Sequence, residues 1–165
     1  MSGTLSSAQR TVLLSHVDGW IALGFGSGLV PVAPGTFGSL VALLPWLALR
    51  QLSWPGYGLL VLAAFALGTW ACSGASRRVG LHDPGAFVWD EFVGLWIALW
   101  PALVAPWWMI AVAWVLFRGF DVFKPWPIRW ADRHISGGFG IMFDDVLAGW
   151  AAAIVLLVLK RLVGI

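Results

Sequence analysis

The stretch Phe117–Gly149, FRGFDVFKPWPIRWADRHISGGFGIMFDDVLAG, sits between two long apolar segments and carries much of the chain's charge. It holds four of the eight acidic residues (Asp121, Asp132, Asp144, Asp145) and four of the ten Lys and Arg (Arg118, Lys124, Arg129, Arg133). Pro125 and Pro127 end the preceding helix at about Lys124, because proline lacks the N–H donor and disfavours helical geometry in the residue before it. The glycines of GGFG, 137–140, predict a tight turn. The pair Asp144–Asp145 then opens a last apolar helix, about Asp145 to Leu162. The stretch is therefore a polar connector between apolar helices.

Composition sets the solvent. Of 165 residues, 60% are hydrophobic and 11% charged, against about 25% charged in soluble domains. This predicts an integral membrane protein, with residues 1–165 forming one membrane-embedded domain. The thirteen Trp fit interfacial anchoring, where an amphipathic ring sits at headgroup level. The single cysteine, Cys72, excludes an internal disulfide and a Cys-based zinc site, and its apolar surroundings predict an inert thiol. The N-terminus lacks an apolar core followed by a small-residue cleavage site, so no cleaved signal peptide is expected. A net charge of +2, with no basic surface interleaved with stacking aromatics, gives no basis for nucleic-acid binding.

Working outward, residues 1–16 are polar and read as loose or interfacial. The loop GFGSGLVPVAPGTFGS, 24–39, has too many Gly and Pro for a continuous helix. Thr36 is the expected N-cap of a short helix of about 13 residues, Phe37 to Leu49, about 20 Å long. A second helix, about Tyr57 to Arg78, is long enough to span a bilayer. The connector VGLHDPGAFVWDEF follows. The next apolar run, Glu91 to Phe117, contains Pro101 and Pro106. It reads as two helices, about 91–103 and 107–123, joined by a tight turn; one kinked helix is the alternative. The fold class is thus all-α: a small membrane bundle of about four to five apolar helices.

If each helix crosses once, the polar connectors gather on one face. All eight acids, all three His and seven of the ten Lys and Arg lie there, leaving Arg50, Lys160 and Arg161 opposite. The excess of positive residues directs that face to the cytoplasm.

Carboxylates beside a membrane segment are costly unless paired or coordinated. Asp90 and Glu91 open one helix, Asp144 and Asp145 open another, and Asp121 lies near the end of a third. Capping and helix-dipole roles account for single acids of this kind. Five on one face suit a hard, oxygen-loving cation, Mg²⁺, with Asp90, Glu91, Asp144 and Asp145 as its ligands. Adjacent helical residues point about 100° apart, so one of Asp144 and Asp145 is expected to reach the metal. Arg118 and Lys124 flank Asp121 at i−3 and i+3 and form either a salt-bridged triad or a phosphate clamp. Asp121 would bind metal or orient a water. The loop offers free N–H groups, Gly35, and the hydroxyls of Thr36 and Ser39 to an anion. It lacks the nucleotide P-loop pattern, and close packing of glycines is the competing explanation. His82 could protonate a leaving alkoxide, although a loop histidine is the commoner role.

Metal carboxylates, fixed cations and an N–H-rich loop beside lipid together suit phosphoryl hydrolysis on a lipid-borne phosphate. The competing class is a small transporter or channel whose carboxylates line an ion path. Acids confined to one face argue against it, because a path needs polar groups near the midplane.

The segments GFGSGLVPVAPGTFGSL, VWDEFVGLWIAL, FRGFDVFKPWPIRW and GGFGIMFDDVLAG resemble, in order, the four motif blocks of the phosphatidylglycerophosphatase A family, across residues 24–149. The resemblance implies a Mg²⁺-dependent phosphatase of the bacterial inner membrane that converts phosphatidylglycerol phosphate to phosphatidylglycerol and phosphate. Asp90, Glu91, Asp121, Lys124, Asp144, Asp145, Gly35, Thr36 and Ser39 fall at motif positions. The metal and catalytic tasks given to Asp121 and Asp145 rest on chemistry. Blocks typical of histidine-nucleophile lipid phosphatases, haloacid-dehalogenase phosphatases and CDP-alcohol phosphotransferases are absent.

Overall fold

A computed structural model describes residues 4–164, and their regular secondary structure is entirely helical, with no strand among them. Helix α1 (Ser7–Leu14) opens on a capping box, in which the Gln9 N–H donates to Ser6 Oγ and the Ser6 N–H donates to Gln9 Oε1. The polar N-terminus is thus helical from Ser7, and residues 1–3 of that expectation lie outside the described residues. Helix α2 (Val17–Ala22) turns back beside it. Asp18 of α2 is buried and paired with Arg78 at 3.0 Å, which ties this N-terminal hairpin to the bundle.

The first apolar helix begins earlier than expected and is broken. It forms α3 (Pro34–Val41) and α4 (Leu43–Leu49), split at Ala42. Pro34 takes the first turn, where its missing N–H costs nothing, so Thr36 lies inside the helix and Ala33, at φ 48°, precedes it. Pro45 lacks the donor that Val41 would need and crowds that carbonyl, which accounts for the break.

Helices α5 (Trp54–Val79) and α9 (Gly137–Val163) are the two elements long and apolar enough to cross a membrane, with mean hydropathy 1.7 and 2.1. Between them α6 (Trp89–Ala98) and α7 (Trp108–Phe123) form the expected hairpin, joined through a 3₁₀ turn at Trp100–Ala102. At 10 and 16 residues these are shorter than a full span. The Lys160 ammonium donates to the Pro101 carbonyl at 3.3 Å, so the far end of α9 meets this turn.

Helix α9 is the centre of the bundle and packs on α6, α5, α7 and the short α8 (Ile128–His134), an element the sequence did not predict. It also starts seven residues before the acidic pair. GGFG is its first turn, and Asp144 and Asp145 lie two turns inside the helix. The glycines there serve close approach. A Cβ on Gly138 would stand 2.2 Å from Ser73 Oγ and from the Thr69 carbonyl of α5.

The tryptophans divide. Trp54, Trp70, Trp107 and Trp126 are exposed, as anchors should be, but Trp46, Trp89 and Trp96 are core. Trp89 Nε1 donates to the Ala64 carbonyl at 3.0 Å and Trp96 Nε1 to the Ala42 carbonyl at 2.9 Å, which corrects a purely interfacial role for the Trp set. Cys72 is buried and free, as expected.

Candidate active site

Small residues decide where the acids meet. A Cβ on Gly149 of α9 would lie 2.3 Å from the Gly94 carbonyl of α6, and a Cβ on Gly94 would lie 2.8 Å from the Asp145 carbonyl. The two helices therefore cross almost backbone to backbone. Asp145 lies one turn before Gly149, and Glu91 nearly one turn before Gly94, so both point to the same end of the crossing. Helix α7 returns antiparallel and delivers Arg118 and Asp121 there. Lys124 ends α7 in a left-handed conformation, φ 42°, ahead of Pro125.

One carboxylate oxygen from each of Asp121, Asp144 and Asp145 can be chosen so that all three lie within 4.8 Å of one another. This grouping differs in membership from the expected ligands Asp90, Glu91, Asp144 and Asp145. Asp121 joins the cluster, both members of the adjacent pair reach it, and Glu91 is taken up elsewhere. The 100° between Asp144 and Asp145 is accommodated because the site lies beside the middle of a turn, between neighbouring helices, and not off a helix tip.

Two cations clamp this cluster. Arg118 Nη1 bridges Glu91 and Asp121, the latter at 2.7 Å. Lys124 Nζ bridges Asp144 and Asp132, each at 2.6 Å. Burial opposes the charged form of Lys124, but Asp144 and Asp132 outweigh it and hold the ammonium above the ordinary lysine range. The expected triad forms only in part: Arg118 pairs with Asp121, whereas Lys124 pairs with Asp144 and Asp132, and both cations border the cluster. Asp145 differs. It is 3% exposed and makes no hydrogen bond or ion pair among the described residues. Asp90 is half-buried and accepts the Glu91 N–H at 2.9 Å. On the connector, Asp83 is exposed at the surface, and crowding by the helix ends, then the charge of Asp144, raises its carboxyl above the ordinary range. Negative charge exceeds positive at this site.

The glycine-rich loop divides by task. Gly28 and Gly38 pack on the connector before α6: their Cβ atoms would fall 1.9 Å from the Ala86 carbonyl and 2.7 Å from Val88 Cβ. Gly35 alone faces the charges, where a Cβ would stand 2.0 Å from Glu91 Oε1 and 3.4 Å from Arg118 Nη1. The half-buried Thr36 hydroxyl takes no hydrogen bond among the described residues. Ser39 is fully buried; it donates to the Thr36 carbonyl at 3.0 Å and accepts from Trp114 Nε1 at 3.0 Å. Its hydroxyl ties α3 to α7.

His82, read from the sequence as a candidate acid but more commonly a loop histidine, is engaged with the backbone of α9. Its Nε2 accepts the Gly137 N–H at 3.1 Å, capping α9, whose own Ser136 makes no side-chain cap. With Nε2 as the acceptor, the N–H of the ring lies on Nδ1. We expect His82→Ala to lower stability by about 1 kcal/mol, the usual worth of a cap, and to leave turnover within a few-fold of wild type. A denaturation midpoint and a rate on the same preparation check this; a rate collapse with the midpoint unmoved would restore the acid role.

The span matched in sequence comparison contains all the residues of this cluster. The family model described as phosphatidylglycerophosphatase A matches residues 20–160. The chain belongs to the phosphatidylglycerophosphatase A family. It is 46% identical to phosphatidylglycerophosphatase A of Escherichia coli K12 over 146 residues, covering 88% of this chain and 85% of that protein. It is 44% identical to phosphatidylglycerophosphatase A of Haemophilus influenzae over 141 residues, covering 85% and 86%. No solved structure matches the chain. Within this family member, the residue sequence reasoning missed is Asp132. Eight positions beyond Lys124 and in a connector, it carried no periodic signal linking the two.

Proposed function

We propose that the chain hydrolyses phosphatidylglycerol phosphate to phosphatidylglycerol and inorganic phosphate, using Mg²⁺ held by Asp121, Asp144 and Asp145. The activity is that of the family and of its named relatives. The observation that carries the metal assignment is Asp145, a buried carboxylate without a counter-ion beside two others. Burying an unpaired charge is expensive, and a divalent cation with oxygen preference offsets that cost.

Bound there, Mg²⁺ would neutralise charge on the phosphoryl oxygens and render a nearby water more acidic. The chain's own groups do the rest. Lys124 is 27% exposed at its side chain and reaches the rim, where it holds a terminal phosphate oxygen. Arg118, 15% exposed and fixed between two carboxylates, keeps Asp121 in place and adds positive potential from below. Gly35 leaves room for the Glu91–Arg118 pair, and the Thr36 hydroxyl is free to take a phosphate hydrogen bond. Asp90 and Glu91 support the cluster from α6.

In this proposal α5 and α9 cross the bacterial inner membrane and the site faces the cytoplasm, following the distribution of Lys and Arg. An ion path is disfavoured, because the charged groups collect at one end of α6, α7 and α9 while α9 continues apolar beyond them.

The test is phosphate release from phosphatidylglycerol phosphate by the purified, detergent-solubilised protein. Release is expected with Mg²⁺ and is expected to fall to background in EDTA, returning when Mg²⁺ is restored. Equal release in EDTA would remove the metal from the mechanism. No release from folded protein in any condition would remove the substrate assignment.

A further inference from the structure

We propose that Asp132, on α8, is a positioning residue: it holds the Lys124 ammonium at the rim of the site for the substrate's terminal phosphate. The proposal rests on the phosphatase activity above.

The two cations are built alike. Each lies between one carboxylate of the three-acid cluster and one outside it. Arg118 has Asp121 inside and Glu91 outside; Lys124 has Asp144 inside and Asp132 outside. The outer partners are what matter once the cluster carboxylates are occupied. When Asp144 spends its charge on a cation, Lys124 loses half of its anchoring. A lysine on a flexible four-carbon stem would then sample solvent. Asp132 prevents this, at 2.6 Å and from a helix that is not part of the cluster. Helix α8 packs on α9, so Asp132 moves as one body with Asp144 and Asp145. Its side chain is 38% exposed, against 10% for Asp144, which places it at the open rim. Lys124 is thereby ordered before substrate arrives, and the rotamer freedom it would forfeit on binding is already lost.

A residue that orders a phosphate-holding cation supports the ground state and the transition state alike, so its loss raises KM and spares kcat. Asp132→Asn is expected to raise KM, and the inhibition constant for inorganic phosphate, about tenfold with kcat within about twofold. Asp132→Glu restores most of the loss. In a Lys124→Met background, Asp132→Asn is expected to change KM less than about twofold, because the residue it acts through is gone. The same KM rise in both backgrounds would overturn the proposal, as would a fall in kcat at unchanged KM. If wild type releases no phosphate from the lipid, the activity itself fails. Calorimetric binding of inorganic phosphate to wild type and Asp132→Asn then decides the role of Asp132, and equal affinity refutes it.

Discussion

Asp145→Asn is expected to abolish phosphate release while leaving the protein folded and, without Mg²⁺, at least as stable as wild type. The two halves have one cause. Asp145 is almost fully buried and without a cation partner, beside Asp121 and Asp144. In the metal-free protein its charge is a burden, and a neutral amide of the same shape relieves repulsion within the cluster. With the metal, the same charge is a ligand. Loss of an outer-shell partner at a metal site costs about 10–100-fold, and loss of a direct ligand should exceed that. A melting curve with and without Mg²⁺ separates the halves. Wild type should gain stability on adding Mg²⁺ by mass action, and Asp145→Asn should gain much less. A variant that keeps both its Mg²⁺-dependent melting shift and its rate would show that the cation is held elsewhere.

Gly35→Ala should reduce turnover about a hundredfold, the scale on which a displacement of about 1 Å damages a preorganised site. The added methyl would stand 2.0 Å from Glu91 Oε1. Glu91 has to swing away, and its Arg118 partner, which also holds Asp121 at 2.7 Å, follows or is left unpaired. The damage therefore travels from α3 through α6 to the cluster. The control is Gly119→Ala on α7, where an added Cβ meets nothing within 4 Å. There the extra helix propensity should be neutral or stabilising by up to about 1 kcal/mol, with activity intact. Equal rates for the two variants would mean that the Glu91–Arg118 pair does not set the site.

Much of this was legible in the chain. The break between α6 and α7 follows from Pro101 and Pro106, because proline acts locally. The crowding of acids and basics at one end follows from where the apolar runs stop. The motif blocks pointed to the family before any coordinates. The misreadings share one origin. Gly137, Gly138 and Gly140 carry the signature of a turn, yet all three lie in the first turn of α9, and at Gly138 and Gly140 it is the close approach of α5 and of the Ile135 carbonyl that leaves no room for a side chain. His82 reads as a loop histidine, yet its ring caps a helix across fifty-five residues of sequence. Trp89 and Trp96 carry the signature of interfacial rings, yet backbone carbonyls on neighbouring helices accept their N–H groups.

By itself, the sequence determined the helical class, the break at Pro101 and Pro106, the end of the bundle that is charged and the family. Each depends on composition or on neighbours within a few residues, where helix geometry fixes direction. Only the tertiary structure decided that Asp121 joins Asp144 and Asp145, that Glu91 belongs to Arg118, and that Asp132 reaches Lys124. Those distances run between helices. They are set by how closely α6 and α9 approach at Gly94 and Gly149, and spacing along one chain does not record the contact between two backbones.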